Sequence, residues 1–174
     1  MGYTSSVDRF FARPITTFPE DDARYALFAY LQQLADLAGA DRLTYVTLQT
    51  EYKTLKEMLN PEYIALTDGY SQTALHLAAQ YCTIDDLALI LDHNAPVDAG
   101  DDLGYTPLFY AAIANNVATA QTLLGRGEAD ITATGTQCQR NVLHVAVMFG
   151  SKEVIDLLLD TVSRHSNVKY VKYV

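Results

Sequence analysis

An all-α solenoid of stacked helix-turn-helix units is the fold class this chain predicts, on three observations. A seven-residue stretch, Thr73-Ala74-Leu75-His76-Leu77-Ala78-Ala79, returns 33 residues on as Thr106-Pro107-Leu108-Phe109-Tyr110-Ala111-Ala112. It returns again 35 residues further on as Asn141-Val142-Leu143-His144-Val145-Ala146-Val147. Each copy also carries an apolar pair 17 and 18 residues past its opening position: Ile90-Leu91, Leu123-Leu124 and Leu158-Leu159. Finally, each copy opens on a residue with helix-capping chemistry. Self-similarity at a period of roughly 20 to 50 residues marks a repeat architecture, in which one unit cannot bury its apolar face alone and stacking makes the core.

The residue types justify each element. Thr73, Thr106 and Asn141 are good N-caps, because a short polar side chain can take a free backbone N–H at the start of a helix. Pro107 stands at the first helical position, where its fixed φ helps and its missing N–H costs nothing. The small residues Ala78-Ala79, Ala111-Ala112 and Ala146 let neighbouring helices approach closely, and the distal leucines fill the layer between repeats. Turn chemistry separates the units, as in Asp101-Asp102-Leu103-Gly104 and Gly125-Arg126-Gly127.

These residues resemble the ankyrin repeat, whose signature is T-P-L-H-x-A at a period of about 33. The resemblance covers a little over half the chain. It implies a solenoid with β-hairpin fingers between the helix pairs, and it implies that His76 and His144 hydrogen-bond the cap residues Thr73 and Asn141. The chain departs from the pattern in places. Phe109 replaces the middle histidine, and the glycine expected after the first helix is Cys82, then Asn115, and Gly150 only in the third copy. An additional residue in Gly127-Glu128-Ala129-Asp130-Ile131 and a lengthened hairpin at Thr132 to Arg140 enlarge the last finger.

The expected organisation is an extended arm at 1–19, a helical cap or degenerate first repeat at 20–67, the array at 68–160, and a tail at 161–174. Within the array the repeats span 68–100, 101–134 and 135–160. The arm holds Phe10, Phe11 and Phe18 with Pro14 and Pro19 and has no sustained period. Beyond it, Leu27, Phe28, Leu31, Leu34, Ala35 and Ala38 recur at helical spacing up to Gly39. A second stripe, Leu48, Tyr52, Leu55 and Leu59, ends at Asn60-Pro61. Phe18-Pro19-Glu20 with Leu27, Tyr30-Leu31 and Asp36-Leu37 is faintly similar to an F-box, a helical motif that docks a ubiquitin-ligase adaptor.

Composition narrows the function classes. With 12 Lys and Arg against 21 Asp and Glu, the formal charge is −9. A surface this acidic repels phosphate backbones and anionic lipid, so no nucleic-acid or membrane partner is expected, and a protein partner with a basic or mixed-charge surface is. No run approaches the roughly 18 apolar residues of a membrane span. Two cysteines, Cys82 and Cys138, are too few for a disulfide framework or a four-ligand zinc site, and they suggest a cytoplasmic or nucleocytoplasmic protein, or one acting in a host cytosol as a secreted effector. No phosphate loop, paired metal ligands or nucleophile elbow is present, so no cofactor, no metal and no catalysis are expected. His93 reads as a helix C-terminal dipole partner.

In ankyrin arrays the finger tips and inner helices form a concave surface where partners bind. Carried over by position, the tips are Tyr70 and Gln72, Leu103 and Tyr105, then Cys138 and Arg140. The inner-helix positions seven and eight past each cap are Gln80 and Tyr81, Ile113 and Ala114, Met148 and Phe149. Tyr81, Ile113, Met148 and Phe149 thus make an apolar stripe where a solvated face would be polar, and aromatic and Met residues favour interface centres. The expected function is a monomeric, non-catalytic adaptor, scaffold or inhibitor gripping one protein on this face. The alternatives are an adaptor recruiting a ubiquitin ligase or other enzyme complex through the N-terminal helices, and the ankyrin portion of a larger enzyme or channel.

Overall fold

The computed structural model describes residues 27, 31, 59, 64–126, 128–136 and 139–164. Among them are six helices in three pairs: α1 (Ala74–Tyr81) and α2 (Ile84–Asp92), α3 (Pro107–Ile113) and α4 (Val117–Gly125), α5 (Val142–Phe149) and α6 (Lys152–Arg164). The three-fold recurrence in the sequence is therefore a three-fold recurrence of helix pairs, and the all-α solenoid stands.

α1 to α5 begin at residues with capping chemistry, but the Thr106 side chain, expected to take a free backbone N–H, makes no cap hydrogen bond. Thr73, Thr106 and Asn141 are the N-caps of α1, α3 and α5, and Pro107 occupies the first turn of α3. Asn141 Oδ1 accepts from the His144 backbone N–H at 3.0 Å. The second helices follow the same rule. Thr83 Oγ1 accepts from the Asp86 N–H at 3.3 Å and donates to Asp86 Oδ2 at 2.7 Å, while Asn116 Oδ1 accepts from the Thr119 N–H at 3.1 Å. Buried Asp86 also places its negative charge at the positive end of the α2 dipole. At the other end of α2, the His93 ring hydrogen-bonds the Leu89 carbonyl at 2.8 Å, satisfying one of the free last-turn acceptors.

The helices lie in two layers. α1, α3 and α5 pack side by side as the inner layer, with α2, α4 and α6 beside one another as the outer layer. Between the layers sit Leu75, Leu87, Ile90, Leu108, Leu123 and Leu158, all fully buried. Burying each contributes about 1.5–3 kcal/mol, which is why the distal leucine pairs recur at a fixed offset. Ala78, Ala79, Ala111, Ala112 and Ala146 have no exposed surface, so the inner helices approach on their smallest side chains. Leu27 and Leu31, helical and buried, and buried Leu59 join the same core. The other residues of the expected N-terminal helices, the F-box-like segment and the C-terminal run lie outside the described residues.

Fingers connect the pairs. Antiparallel bridges close them at Thr67–Thr73 and Thr134–Asn141, separations of 6 and 7 residues, so the last finger is longer by one within its tip. Backbone bonds tie successive fingers together: the Asp102 N–H donates to the Tyr70 carbonyl at 3.0 Å, and the Thr136 N–H to the Leu103 carbonyl at 2.8 Å. The equivalent turn position is left-handed in each finger, at Ser71 (φ 62), Gly104 (φ 76) and Gln139 (φ 52). Only the middle finger has the residue that adopts this conformation without cost. A non-glycine there costs on the order of 1 kcal/mol, so the outer fingers hold strain in their tips.

Candidate partner-binding surface

The inner layer brings the sequence-derived stripe onto one face. Gln80, Ile113 and Met148 occupy the same register position on α1, α3 and α5, and Tyr81 and Phe149 follow at the next. Met148 is 40% exposed, while Gln80, Tyr81, Ile113 and Phe149 are half-buried. Tyr81, Ile113 and Phe149 pack one side against the core. The face therefore presents apolar and aromatic surface that is already anchored from below, a state that lowers the entropy cost of using it for binding. Tyr70 and Arg140, in the first and last fingers, are half-buried.

Three of the expected contact residues are buried by the array itself, which narrows the surface. Gln72 is 7% exposed, and its Nε2 donates to the Tyr110 hydroxyl at 2.7 Å. Leu103 is 8% exposed, held under the last finger by the bond from Thr136. Tyr105 is 6% exposed because its ring stacks on Phe109 at 4.8 Å, with 7° between the planes. The backbone of Gly135 covers the ring edge so closely that a Cβ there would stand 2.6 Å from Tyr105 Cε1. These three side chains hold the fingers; they do not offer themselves to a partner. Cys138 lies outside the described residues.

A buried polar chain sets the finger geometry beside that face. Asp101 Oδ1 accepts from the Leu103 N–H at 2.9 Å and the Tyr105 N–H at 2.8 Å, folding the turn around its own carboxylate. Its other oxygen takes the Tyr110 hydroxyl proton at 2.6 Å, and that hydroxyl accepts from Gln72. Repeat one is thereby tied to repeat two through a side-chain network with nearly every member satisfied, the condition under which buried polarity adds specificity. Asp68 repeats the turn in the first finger, accepting from the Tyr70 and Gln72 N–H groups at 2.8 Å each.

His76 makes a second tie. The Thr73 N–H donates to Nδ1 at 2.9 Å, so Nδ1 is the acceptor and the proton sits on Nε2, which donates to the Tyr105 carbonyl at 3.0 Å. The ring also meets Tyr110 edge-on, centroids 5.2 Å apart. Burial lowers its pKa and outweighs the Tyr105 carbonyl and the Asp101 and Asp68 carboxylates, which pull the other way. The histidine is a neutral structural link. In repeat two Phe109 stands in its place, and the cost is visible: the buried Thr106 Oγ1 has no hydrogen-bond partner.

The remaining reactive groups are disposed for structure. The Cys82 thiol is buried, and burial followed by the Asp86 charge pushes its pKa up, away from the thiolate a nucleophile needs. Among the described residues no three His, Cys, Asp or Glu side chains gather as a metal site. No described helix is long and apolar enough to cross a membrane. Sequence reasoning missed the dual role of Asp101 and the stacking of Tyr105. An aromatic pair four residues apart, 105 and 109, was the signal available for the second.

Comparison with known proteins agrees with this geometry. A family model described as ankyrin repeats (3 copies) matches residues 43–135, or 93 of the 174 residues. The match begins upstream of the first described helix pair and ends before α5, whose pairing with α6 continues the same pattern. The chain is 33% identical over 87 residues to "Probable E3 ubiquitin-protein ligase XBOS31" of Oryza sativa, covering 50% of this chain and 19% of that protein. It is 30% identical over 105 residues to tyrosine-protein kinase HTK16 of Hydra vulgaris, 60% of this chain and 13% of the kinase. Neurogenic locus notch homolog protein 1 of Xenopus tropicalis is 36% identical over 67 residues, 38% of this chain and 3% of that protein. The chain thus spans under a fifth of the length of these relatives. By the family match and by its stacked helix pairs, this chain belongs to the ankyrin-repeat family.

Proposed function

We propose that this chain is a non-catalytic adaptor, scaffold or inhibitor that grips one partner protein across the inner-helix face. Ankyrin repeats are protein–protein interaction modules, and the class of function follows from that membership. The observation that carries the specific reading is the stripe itself: Ile113 and Met148 in register, flanked by Tyr81 and Phe149, apolar and still part-exposed after the array has packed. A formal charge of −9 favours a partner with a basic or mixed-charge surface, meeting the exposed Asp102 on the middle finger. Monomeric behaviour and a cytoplasmic or nucleocytoplasmic location accord with this reading.

Met148→Arg tests it. The residue is exposed, so thermal unfolding is expected to move by no more than about 1–2 °C. Placing a charge in the centre of an apolar interface is expected to weaken partner capture at least tenfold, about 1.4 kcal/mol or more. Quantitative affinity capture with the parent chain and the variant as baits reads this directly. Equal recovery of the same proteins by both baits would remove Met148 from the interface.

A further inference from the structure

The apolar stripe sits at a particular place on the inner helices, their last turns. Gln80 and Tyr81 end α1, Ile113 ends α3, and Met148 and Phe149 end α5. The outer helices begin two or three residues later, so the stripe follows the edge where inner helices turn into outer ones. Apolar surface continues across the turn: Ile84, the first residue of α2, is 47% exposed, and Val117, the first of α4, is half-buried. Among the described residues the isolated β-bridges lie in the fingers, at Thr67–Thr73 and Thr134–Asn141. An extended segment therefore finds no sheet edge to join along the stripe.

Charge at this edge has one prevailing sign. Inner helices end and outer helices begin here, so their opposed dipoles largely cancel and side chains decide the field. Asp85 and Glu153 are exposed in the first turns of α2 and α6, and Asp86 is buried behind Asp85 in sequence. Glu153 is held beside repeat two by Asn115, whose Nδ2 donates to Oε2 at 2.6 Å. None of α1, α3 and α5 has a basic residue in its last turn, and Lys152 is the lone opposing cation at this edge among the described residues. The other described lysines and arginines are Arg126, Arg140 and Arg164, and Arg126 and Arg164 already pair with Asp92 and Asp160.

We propose that the partner element seated on this face is a basic amphipathic helix that crosses α1, α3 and α5 in turn. The proposal rests on the reading of the inner-helix face as the partner surface. Packed helices lie about 8–10 Å apart, so the stripe offers one apolar step per repeat at that interval. Seven residues of α-helix rise about 10.5 Å and return a side chain to nearly the same face. In a strand, three residues span about 10 Å but reverse the face, and two or four miss the interval. A helix also bonds its own backbone, which suits a surface made of side chains. Apolar residues at heptad spacing then meet Ile113 and Met148, while flanking Lys and Arg meet Asp85 and Glu153.

Panning the full chain with a displayed library of random peptides about 18 residues long, enough for two such steps, tests this. The recovered peptides are expected to place large apolar residues seven apart and to carry an excess of Lys and Arg. Met148→Arg is expected to weaken their binding at least tenfold. Asp85→Lys with Glu153→Lys is expected to weaken it about three- to tenfold at low salt, the difference shrinking as salt is raised. Peptides that Met148→Arg releases but that are acidic, or that place apolar residues three apart around prolines, would overturn the helix and leave the face in use. Peptides indifferent to Met148→Arg would overturn both readings. Recovery of no peptide would overturn the helix alone, because a single element would then not suffice.

Discussion

Asp101→Ala is expected to cost about 3–5 kcal/mol, a large share of the roughly 5–15 kcal/mol that holds a domain of this kind together. The carboxylate is 6% exposed and serves three donors: the Leu103 and Tyr105 N–H groups and the Tyr110 hydroxyl. Removing it leaves two backbone amides and a phenol buried with their acceptor gone, and each orphan costs about 1–3 kcal/mol before relaxation. Tyr110→Phe removes only the hydroxyl, losing the charge-assisted bond to Asp101 and the one from Gln72, and is expected to cost about 2 kcal/mol. Asp68→Ala provides the comparison. Asp68 makes the same pair of turn bonds but is half-buried, and Leu77 stands where Tyr110 would reach it. Its loss is expected to be the smaller, about 1–2 kcal/mol. Urea unfolding of the three variants gives the order Asp101→Ala, then Tyr110→Phe or Asp68→Ala. Equal losses for Asp101→Ala and Asp68→Ala would mean the inter-repeat network adds nothing to the local turn.

His76 is expected to make the array acid-sensitive. Its folded pKa lies below the ordinary value of 6.5, since burial favours the neutral ring. Above that value both folded and unfolded forms are neutral at this site and its stabilising role is complete. As pH falls through 6.5 the unfolded chain takes up a proton that the folded chain refuses, so stability falls with falling pH. The slope from this one group approaches about 1.4 kcal/mol per pH unit. His76→Phe imitates the ring that repeat two carries at Phe109. It forfeits the bonds to Thr73 and the Tyr105 carbonyl, leaves the buried Thr73 amide without its acceptor while the Tyr105 carbonyl keeps the Asp101 N–H, and is expected to cost about 2–3 kcal/mol at pH 7.5. Between pH 7.5 and 5.5 its stability is expected to change less than that of the parent chain. Parallel pH profiles for parent and variant would show that His76 is protonated in the folded state as readily as in the unfolded one.

The helices were legible in the sequence because their determinants are local and periodic. Thr73, Thr106 and Asn141 stand at the N-cap positions, though the Thr106 side chain makes no cap bond, and the apolar residues seventeen on, Ile90, Leu123 and Leu158, fill the layer wherever a repeat stacks. The hydrogen bonds of His76 and His144 to their caps also followed from the motif. What was not legible depends on contacts between repeats. Tyr105 occupies a tip position equivalent to Gln72 and Arg140, and nothing local marks it as buried. Its burial comes from Phe109 on one side and Gly135, thirty residues on, at the other. Gln72 is buried by Tyr110, a residue of the next repeat. The inner-helix stripe was legible as a pattern, since register alone places Gln80, Ile113 and Met148 together. How much of each side chain stays exposed was not, because that depends on the core beneath.

The central claim is that a partner sits on the inner-helix face between Tyr81 and Phe149. The most direct measurement is photo-crosslinking from single sites, with a benzophenone amino acid in place of Met148 and, separately, in place of Asp156 on the outer helix α6. Both residues are exposed, so both probes are compatible with the fold. A discrete crosslinked protein from position 148 and none from position 156 is the expected result. Crosslinking to the same protein from position 156 with none from 148 would contradict the account and move the interface to the outer helices.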